Sequence, residues 1–375
     1  MEIKINKEDL LKSVARVQSI IEKRSNMPIL QTVLISSQND SKISVSATDL
    51  EISFQQTLPA QILQPGSLTI SGRKLFEILK ESNNSAIHLK AKENNWVHIT
   101  DGKAKFNLAC LPAEEYPLIV EPEDIVTCEI ESSVIKEMIG KTIFSVTLEE
   151  AGFKLSGVFT EKVVKGDDTF LRMVSTDGHR LSLIEKKFKG IEKLVMEGGV
   201  MIPKKGLAEL MKLAAMDENP IKIGFRKNHC VAKKENIIIL IRLVDSKFPD
   251  YNAVIPKKEH TKINLKINKN LFLNGMKKMV ILSDDSYRGV KISLEKNNME
   301  LVSIHPELGD VQENIEIEYN QERFESGFNA RYFIDLFQVM DSEEICFDLI
   351  DASNPCLITG EDDAGFMAMI MPMRI

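Results

Sequence analysis

Three stretches of this chain decide its fold: SGRKLFEILK at 71–80, PKKGLAELMK at 203–212 and NARYFIDLFQ at 329–338. Each carries a base, an acid four residues on and a polar residue seven on: Arg73, Glu77 and Lys80; Lys205, Glu209 and Lys212; Arg331, Asp335 and Gln338. Positions i, i+4 and i+7 share one side of a helix. The opposite side is apolar, with Leu75, Phe76 and Leu79, then Leu207, Leu210 and Met211, then Phe333, Leu336 and Phe337. Three amphipathic helices of one design are therefore expected. Arg73 and Lys205 lie 132 residues apart, and Lys205 and Arg331 lie 126 apart. A unit of that length can bury a core of its own, which predicts three tandem domains rather than short solenoid repeats.

Working outward, a second helix recurs upstream of each of the three. The segments run from Glu2 (EIKINKEDLLKSVARVQSII), Val126 (VTCEIESSVIKEMIGKTIFSV) and Thr261 (TKINLKINKNLFLNGMKKMVILS). Each reads as a short alternating strand, a polar break and a helix. Leu10, Val14, Val17 and Ile21 set the rhythm in the first copy; Ile135, Met138 and Thr142, then Phe272, Met276 and Met279, repeat it. Between the helices lie alternating β-rich runs such as 42–54, 86–100, 236–244 and 299–305, several joined by Asn-rich or Asp-Gly turns. The predicted architecture is α+β: three similar domains at 1–124, 125–257 and 258–375, each of antiparallel sheet plus two helices.

Composition narrows the function. The chain has 375 residues, is 43% hydrophobic and 27% charged, and carries a net charge of −7. No apolar run approaches the ~18 residues of a membrane span, and the N-terminus is not a secretory signal. Five dispersed cysteines without a C-x-x-C pair read as reduced thiols of a cytosolic protein. Six scattered histidines predict neither metal nor cofactor. Asp177, His179 and Ser182 could be imagined as a hydrolase set. Along a strand, however, Ser182 would point away from the other two, and no nucleophile elbow, P-loop or dinucleotide motif is present. A scaffold that binds other proteins without DNA is the other alternative.

The bases are distributed unevenly. Lys12, Arg16, Lys23 and Arg24 lie on the first helix or at its end, Lys136 and Lys141 on its second copy, and Lys277 and Lys278 on its third. The other helices add Arg73, Lys74, Lys80, Lys204, Lys205 and Lys212. Each face alone is an ordinary solvated surface. Repeated at one place in three copies, they predict a cationic wall for backbone phosphates, without base readout, on a molecule acidic elsewhere.

MPILQTVLI (27–35), SATDLEI (46–52), STDGHRL (175–181), FPDYNAVIP (248–256), GFNARYFIDLF (327–337) and the terminal MPMRI (371–375) together resemble the bacterial β sliding-clamp family. The resemblance spans nearly the whole chain in the family's order. It implies a DNA clamp: a head-to-tail homodimeric ring around duplex DNA, helices lining the hole, and a non-enzymatic processivity factor tethering the replicative polymerase. It carries DNA contacts onto Arg24, Arg73 and Lys205, with Lys204 adjacent. It also implies an apolar cleft for linear motifs of polymerases, the clamp loader and repair proteins, formed by Leu155, Thr176, Gly178, His179, Arg180, Leu181, Pro249 and Val254. From the third domain come Asn329, Tyr332, Ser353, Pro355, Met369, Met371, Pro372, Met373 and Arg374. Gly152 and Ala253 stand where the family often has Arg. The implied dimer seam uses Phe106, Leu108, Ile281 and Leu282, with Lys103 and Lys105 facing Glu307, Asp310 and Glu313.

Overall fold

The structure, a computed structural model, describes residues 1–374 except 22–25, 118, 120–124, 147–155, 197, 257 and 284–287. A strand–helix–three-strand motif occurs six times among the described residues. The first copy is β1 (Glu2–Asn6), α1 (Lys7–Val17), β2 (Thr32–Asn39), β3 (Lys42–Thr48) and β4 (Ile52–Pro59), followed by an extra strand, β5 (Gln61–Gln64). The second is β6 (Ser67–Ser71), α2 (Gly72–Glu81), β7 (Ala86–Lys92), β8 (Trp96–Asp101) and β9 (Ala104–Ala109). Then come β10 (Cys128–Ile130), α3 (Ser132–Gly140), β11 (Gly157–Lys165), β12 (Asp168–Thr176) and β13 (Arg180–Lys186). The fourth is β14 (Val200–Pro203), α4 (Lys204–Ala214), β15 (Ile221–Arg226), β16 (His229–Lys234) and β17 (Ile237–Arg242). The fifth is β18 (Ile263–Asn268), α5 (Lys269–Ile281), β19 (Gly289–Glu295), β20 (Asn298–His305) and β21 (Gly309–Glu316). The last is β22 (Phe324–Asn329), α6 (Ala330–Phe337), β23 (Glu344–Leu349), β24 (Cys356–Gly360) and β25 (Phe366–Ile370).

The chain divides into two compact units. Met1–Glu131, Lys193–Val195 and Asn219–Leu243 hold a five-stranded sheet, β5-β1-β7-β8-β9, and an eight-stranded one, β10-β15-β16-β17-β4-β3-β2-β6. Ser132–Glu192, Met196–Glu218 and Val244–Ile375 hold an eight-stranded sheet, β14-β11-β12-β13-β25-β24-β23-β18, and a four-stranded one, β21-β20-β19-β22. Two rules generate these orders. Within each pair of copies, the leading strands are exchanged: β6 joins β2, and β1 joins β7. Between pairs, edge strands join antiparallel, β4 to β17 and β13 to β25. The compact units therefore cut across the tandem repeats, because each eight-stranded sheet is continuous over a repeat boundary.

Local sequence explains the strand-to-helix switches. Asn6, Ser71, Asn268 and Asn329 each end a strand, and their side-chain oxygens accept an N–H of the following first turn. Such caps are worth about 1 kcal/mol each. The apolar faces then bury in pairs, α1 on α2, α3 on α4 and α5 on α6. In the last pair Phe272 meets Phe333 and Phe337 edge-on at 5.2 and 5.6 Å, and Phe347 at 5.1 Å. Gly72 sits where a Cβ would come within 2.2 Å of Ile21 Cδ1, so the first pair closes only over glycine.

Two helix ends depart from the predicted rhythm. α1 stops at Val17, and Ile21 is buried from the turn that follows; α3 stops at Gly140, and the Thr142 hydroxyl donates back to the Met138 carbonyl. Burial persists there without helix, so periodicity overran the true ends. The expected boundaries near 121–124 and at 257 lie outside the described residues.

Candidate functional site

Asp177 and His179, read above as strand, lie with Gly178 in the turn that joins β12 at Thr176 to β13 at Arg180. Asp177 Oδ1 accepts the N–H groups of His179 and Arg180 at 3.0 Å each. Thr176 Oγ1 donates to the Arg180 carbonyl at 2.7 Å and accepts the Gly178 N–H at 3.1 Å. Gly178 has φ +87°, a conformation glycine adopts without steric cost. The hydrolase geometry therefore dissolves: Asp177 is occupied by the backbone of its own turn.

Arg180 underlies this turn. Its guanidinium donates to Asp177 Oδ2, Asp335 Oδ2 and the Phe144 carbonyl, each at 2.9 Å. It also lies 4.5 Å from the Tyr332 ring centroid and 5.4 Å from that of Phe144. Only 11% of the side chain is exposed, so Arg180 supports the wall more than it offers a contact. His179, exposed, stacks on Tyr332 at 6.4 Å. The C-terminal segment is pinned on both sides: the Met371 N–H donates to the His179 carbonyl and the Met373 N–H to that of Gly327, both at 2.8 Å. Beside it lies an apolar cluster of Val174, Leu181, Leu183, Met201, Phe248, Tyr251 and Met369, with Phe159 and Met371 half-buried against it. Phe159 and Phe248 stack at 4.9 Å. Tyr251 donates to Glu161 and accepts from Arg172 at 2.5 Å, which fixes the short helix Tyr251–Ala253 between the exposed Pro249 and Val254.

The remaining expected cleft residues are placed as follows. Ser326 Oγ donates to the Ala352 carbonyl, tying the turn of Ser353 and Pro355 to β22, which also bears the Met373 bridge. Ser353 Oγ donates to Asp351, and the Asn329 carboxamide oxygen caps α6. Pro372 is half-buried and Arg374 exposed. Leu155, Gly152 and Ile375 lie outside the described residues. Asp335, Phe159 and Phe248 were missed as site residues. The i,i+4 acid after Arg331 was a visible signal for the first; for the stacked phenylalanines there was none.

The expected phosphate-facing bases divide in two. Arg73 is largely exposed beside Glu77 at 2.9 Å, and Lys12 is exposed. Lys204 and Lys205 open α4, half-buried. Arg24 and Lys23 lie outside the described residues. Arg16 instead turns to the sheet and donates to Gln56 at 3.1 Å. Lys141 cannot line an open surface: it is buried, bonded to Asp363 at 2.7 Å, Asp341 at 2.8 Å and Glu137 at 3.2 Å. Burial opposes ionisation of Asp363, but Lys141, Ser342 and two backbone N–H groups outweigh it and hold the carboxyl at about 2.

At the expected seam, β9 and β21 are each the edge of their own sheet. Phe106 and Leu108 are half-exposed on β9, Ile281 is 74% exposed, and Leu282 is half-exposed. Near the end of β20 Ile304 is also exposed, as is Leu308 in the β20–β21 turn, both absent from the sequence reading. On β21, Glu313 Oε1 accepts Lys278 at 2.5 Å, while its Oε2 is buried with no hydrogen-bond partner among the described residues.

Paired strand-swapped modules, sheets continuous from one repeat to the next and a braced turn beside an apolar cluster define a clamp-type binding protein. The chain matches the DNA polymerase III beta subunit N-terminal, central and C-terminal domain families over residues 1–120, 129–250 and 252–374. It is 31% identical to the beta sliding clamp of Caulobacter vibrioides and 29% identical to that of Haemophilus influenzae, over the whole of both chains in each case. The crystal structure of the C. crescentus beta sliding clamp with PEG bound to a putative beta-motif tethering region superposes with a TM-score of 0.93, at 30% identity over all of both chains. That of a Bartonella birtlesii sliding clamp bound to griselimycin gives 0.93 at 29%, again over all of both. The chain belongs to the DNA polymerase III beta subunit family, the bacterial sliding clamps, which are processivity factors and not enzymes.

Proposed function

We propose that two copies of this chain close head to tail into a ring around duplex DNA, each copy holding three domains at 1–124, 125–257 and 258–375. One observation carries this reading. Within the chain, β4 pairs β17 and β13 pairs β25, whereas β21, the repeat equivalent of β4 and β13, and β9, the equivalent of β17 and β25, are unpaired edges. Exposed edges are a liability unless something pairs with them. Extending the internal register puts Phe106 opposite Val311 and Ala104 opposite Glu313 of a second copy. Phe106, Leu108, Ile281 and Leu282 then share one apolar seam, with Lys103 and Lys105 facing Glu307, Asp310 and Glu313 of the second copy at its rim. Rim charges of this kind steer assembly more than they stabilise it.

In this reading Arg24, Arg73, Lys204, Lys205 and Lys12 meet phosphates inside the ring, while Arg16 acts through its bond to β4. Retention comes from topology, so weak and exchanging contacts suffice. The cleft from Thr176 to Leu181, with Pro249, Val254, Tyr332, Met369 and Met371–Arg374, takes linear motifs of the replicative polymerase, clamp loader and repair proteins. Methionines adapt to varied peptides and prolines limit the ordering cost. Gly152 and Ala253 in place of arginines give this cleft its own peptide preference. The protein acts in the cytoplasm on nucleoid DNA; no helix among the described residues is long and apolar enough to cross a membrane. The test is topological. Loaded onto nicked circular DNA, the protein stays bound through gel filtration and is lost when the circle is cut; retention on linear DNA with open ends refutes encirclement.

A further inference from the structure

We infer that Asp335 couples DNA inside the ring to peptide affinity at the cleft, through a carboxylate shared between Arg331 and Arg180. Arg331 is the repeat counterpart of Arg73 and Lys205, the bases assigned above to phosphate, and it too is exposed. Its Nε donates to Asp335 Oδ1 at 2.9 Å, while Arg180 NH1 donates to Asp335 Oδ2 at 2.9 Å. Arg180 in turn lies 4.5 Å from the Tyr332 ring centroid, and Tyr332 stacks on His179 of the cleft wall. Among the described residues the first repeat shows no such bridge: Glu77 takes Arg73 and Lys74 of its own helix.

Two cations sharing one carboxylate each hold it less firmly than one alone. A phosphate that draws the Arg331 guanidinium away leaves Asp335 to Arg180. Arg180 is then held more tightly over Tyr332, and the wall has less freedom to lose when a peptide docks. DNA therefore raises peptide affinity, and by linkage peptide strengthens the DNA contact to the same extent. Arg180 keeps Asp177 and the Phe144 carbonyl throughout, which limits the effect. A change of about 5-fold, the low end of coupled binding, is expected.

The inference rests on the ring and cleft assigned above. The probe is a fluorescein-labelled peptide carrying a clamp-binding linear motif of the replicative polymerase, followed by anisotropy. It is titrated into the free protein and into protein isolated on nicked circular DNA. DNA-loaded wild type binds about 5-fold tighter than free wild type. In Arg331→Gln, a surface change, the free protein already shows the tighter value and DNA adds nothing. Asp335→Asn removes the DNA effect and weakens the peptide in both forms. Equal affinity of free and loaded wild type overturns the coupling while leaving ring and cleft intact, as does a full DNA effect in Arg331→Gln. A protein retained on DNA that binds the peptide in neither form overturns the cleft assignment and the coupling with it.

Discussion

Arg16, Lys141 and Lys278 each stand ten residues after a strand-to-helix junction, at Asn6, Glu131 and Asn268. In sequence all three belong to a solvated basic face. In the structure each turns toward its sheet layer, to Gln56, Asp363 and Glu313 respectively. The Lys141 pair is the most buried, with side-chain exposures of 4% and 0%. Replacing Lys141 by Met leaves Asp363 buried without its cation, at an expected cost of about 3–5 kcal/mol read as a lower urea midpoint. The pair also sets an acid dependence. Asp363 is held at about 2 against an ordinary 3.8, so its contribution is fully present above 3.8 and is lost as pH falls towards 2. Urea midpoints should drop across that window in wild type and drop less in Asp363→Asn; parallel profiles would remove Asp363 from the account.

At the scale of elements, the helices were the legible part and the seams were not. The recurring apolar faces mark all six helices from local sequence alone, and the i, i+4, i+7 pattern singles out α2, α4 and α6 as one design. Nothing local announces that β4 finds β17, some 180 residues away, because a backbone ladder is indifferent to which chain segment supplies it. The same indifference makes the dimer seam testable. With Lys105→Cys and Gln312→Cys in one chain, oxidation should link protomers, since the extended register sets these positions opposite each other. Lys105→Cys with Asn314→Cys, one residue pair out of register, should link far less. Equal yields on a non-reducing gel would discard the register. Ile281→Ala with Leu282→Ala should shift the species seen by light scattering from dimer to monomer with the far-UV spectrum kept.

For the whole molecule, ring and cleft make separable demands. Charge reversal at Arg73 and Lys205 should weaken DNA association and lower its salt slope by about 0.9 for each phosphate no longer neutralised, with the dimer intact. An unchanged slope would place those bases away from phosphate. Met371→Ala together with removal of Arg374 and Ile375 should abolish binding of the polymerase peptide without lowering the urea midpoint, and retained affinity would exclude the cleft. Sequence by itself determined the helical faces, the three-fold repeat and the family, because amphipathic period and short motifs are local properties carried by neighbouring residues. Only the tertiary structure decided that Lys141 is a buried tie, that Thr176–Arg180 is a braced turn and that Phe159 stacks on Phe248. Those outcomes depend on burial and charge supplied by segments about ninety or more residues distant, such as Phe248, Asp335 and Asp363, and no period in the chain encodes them.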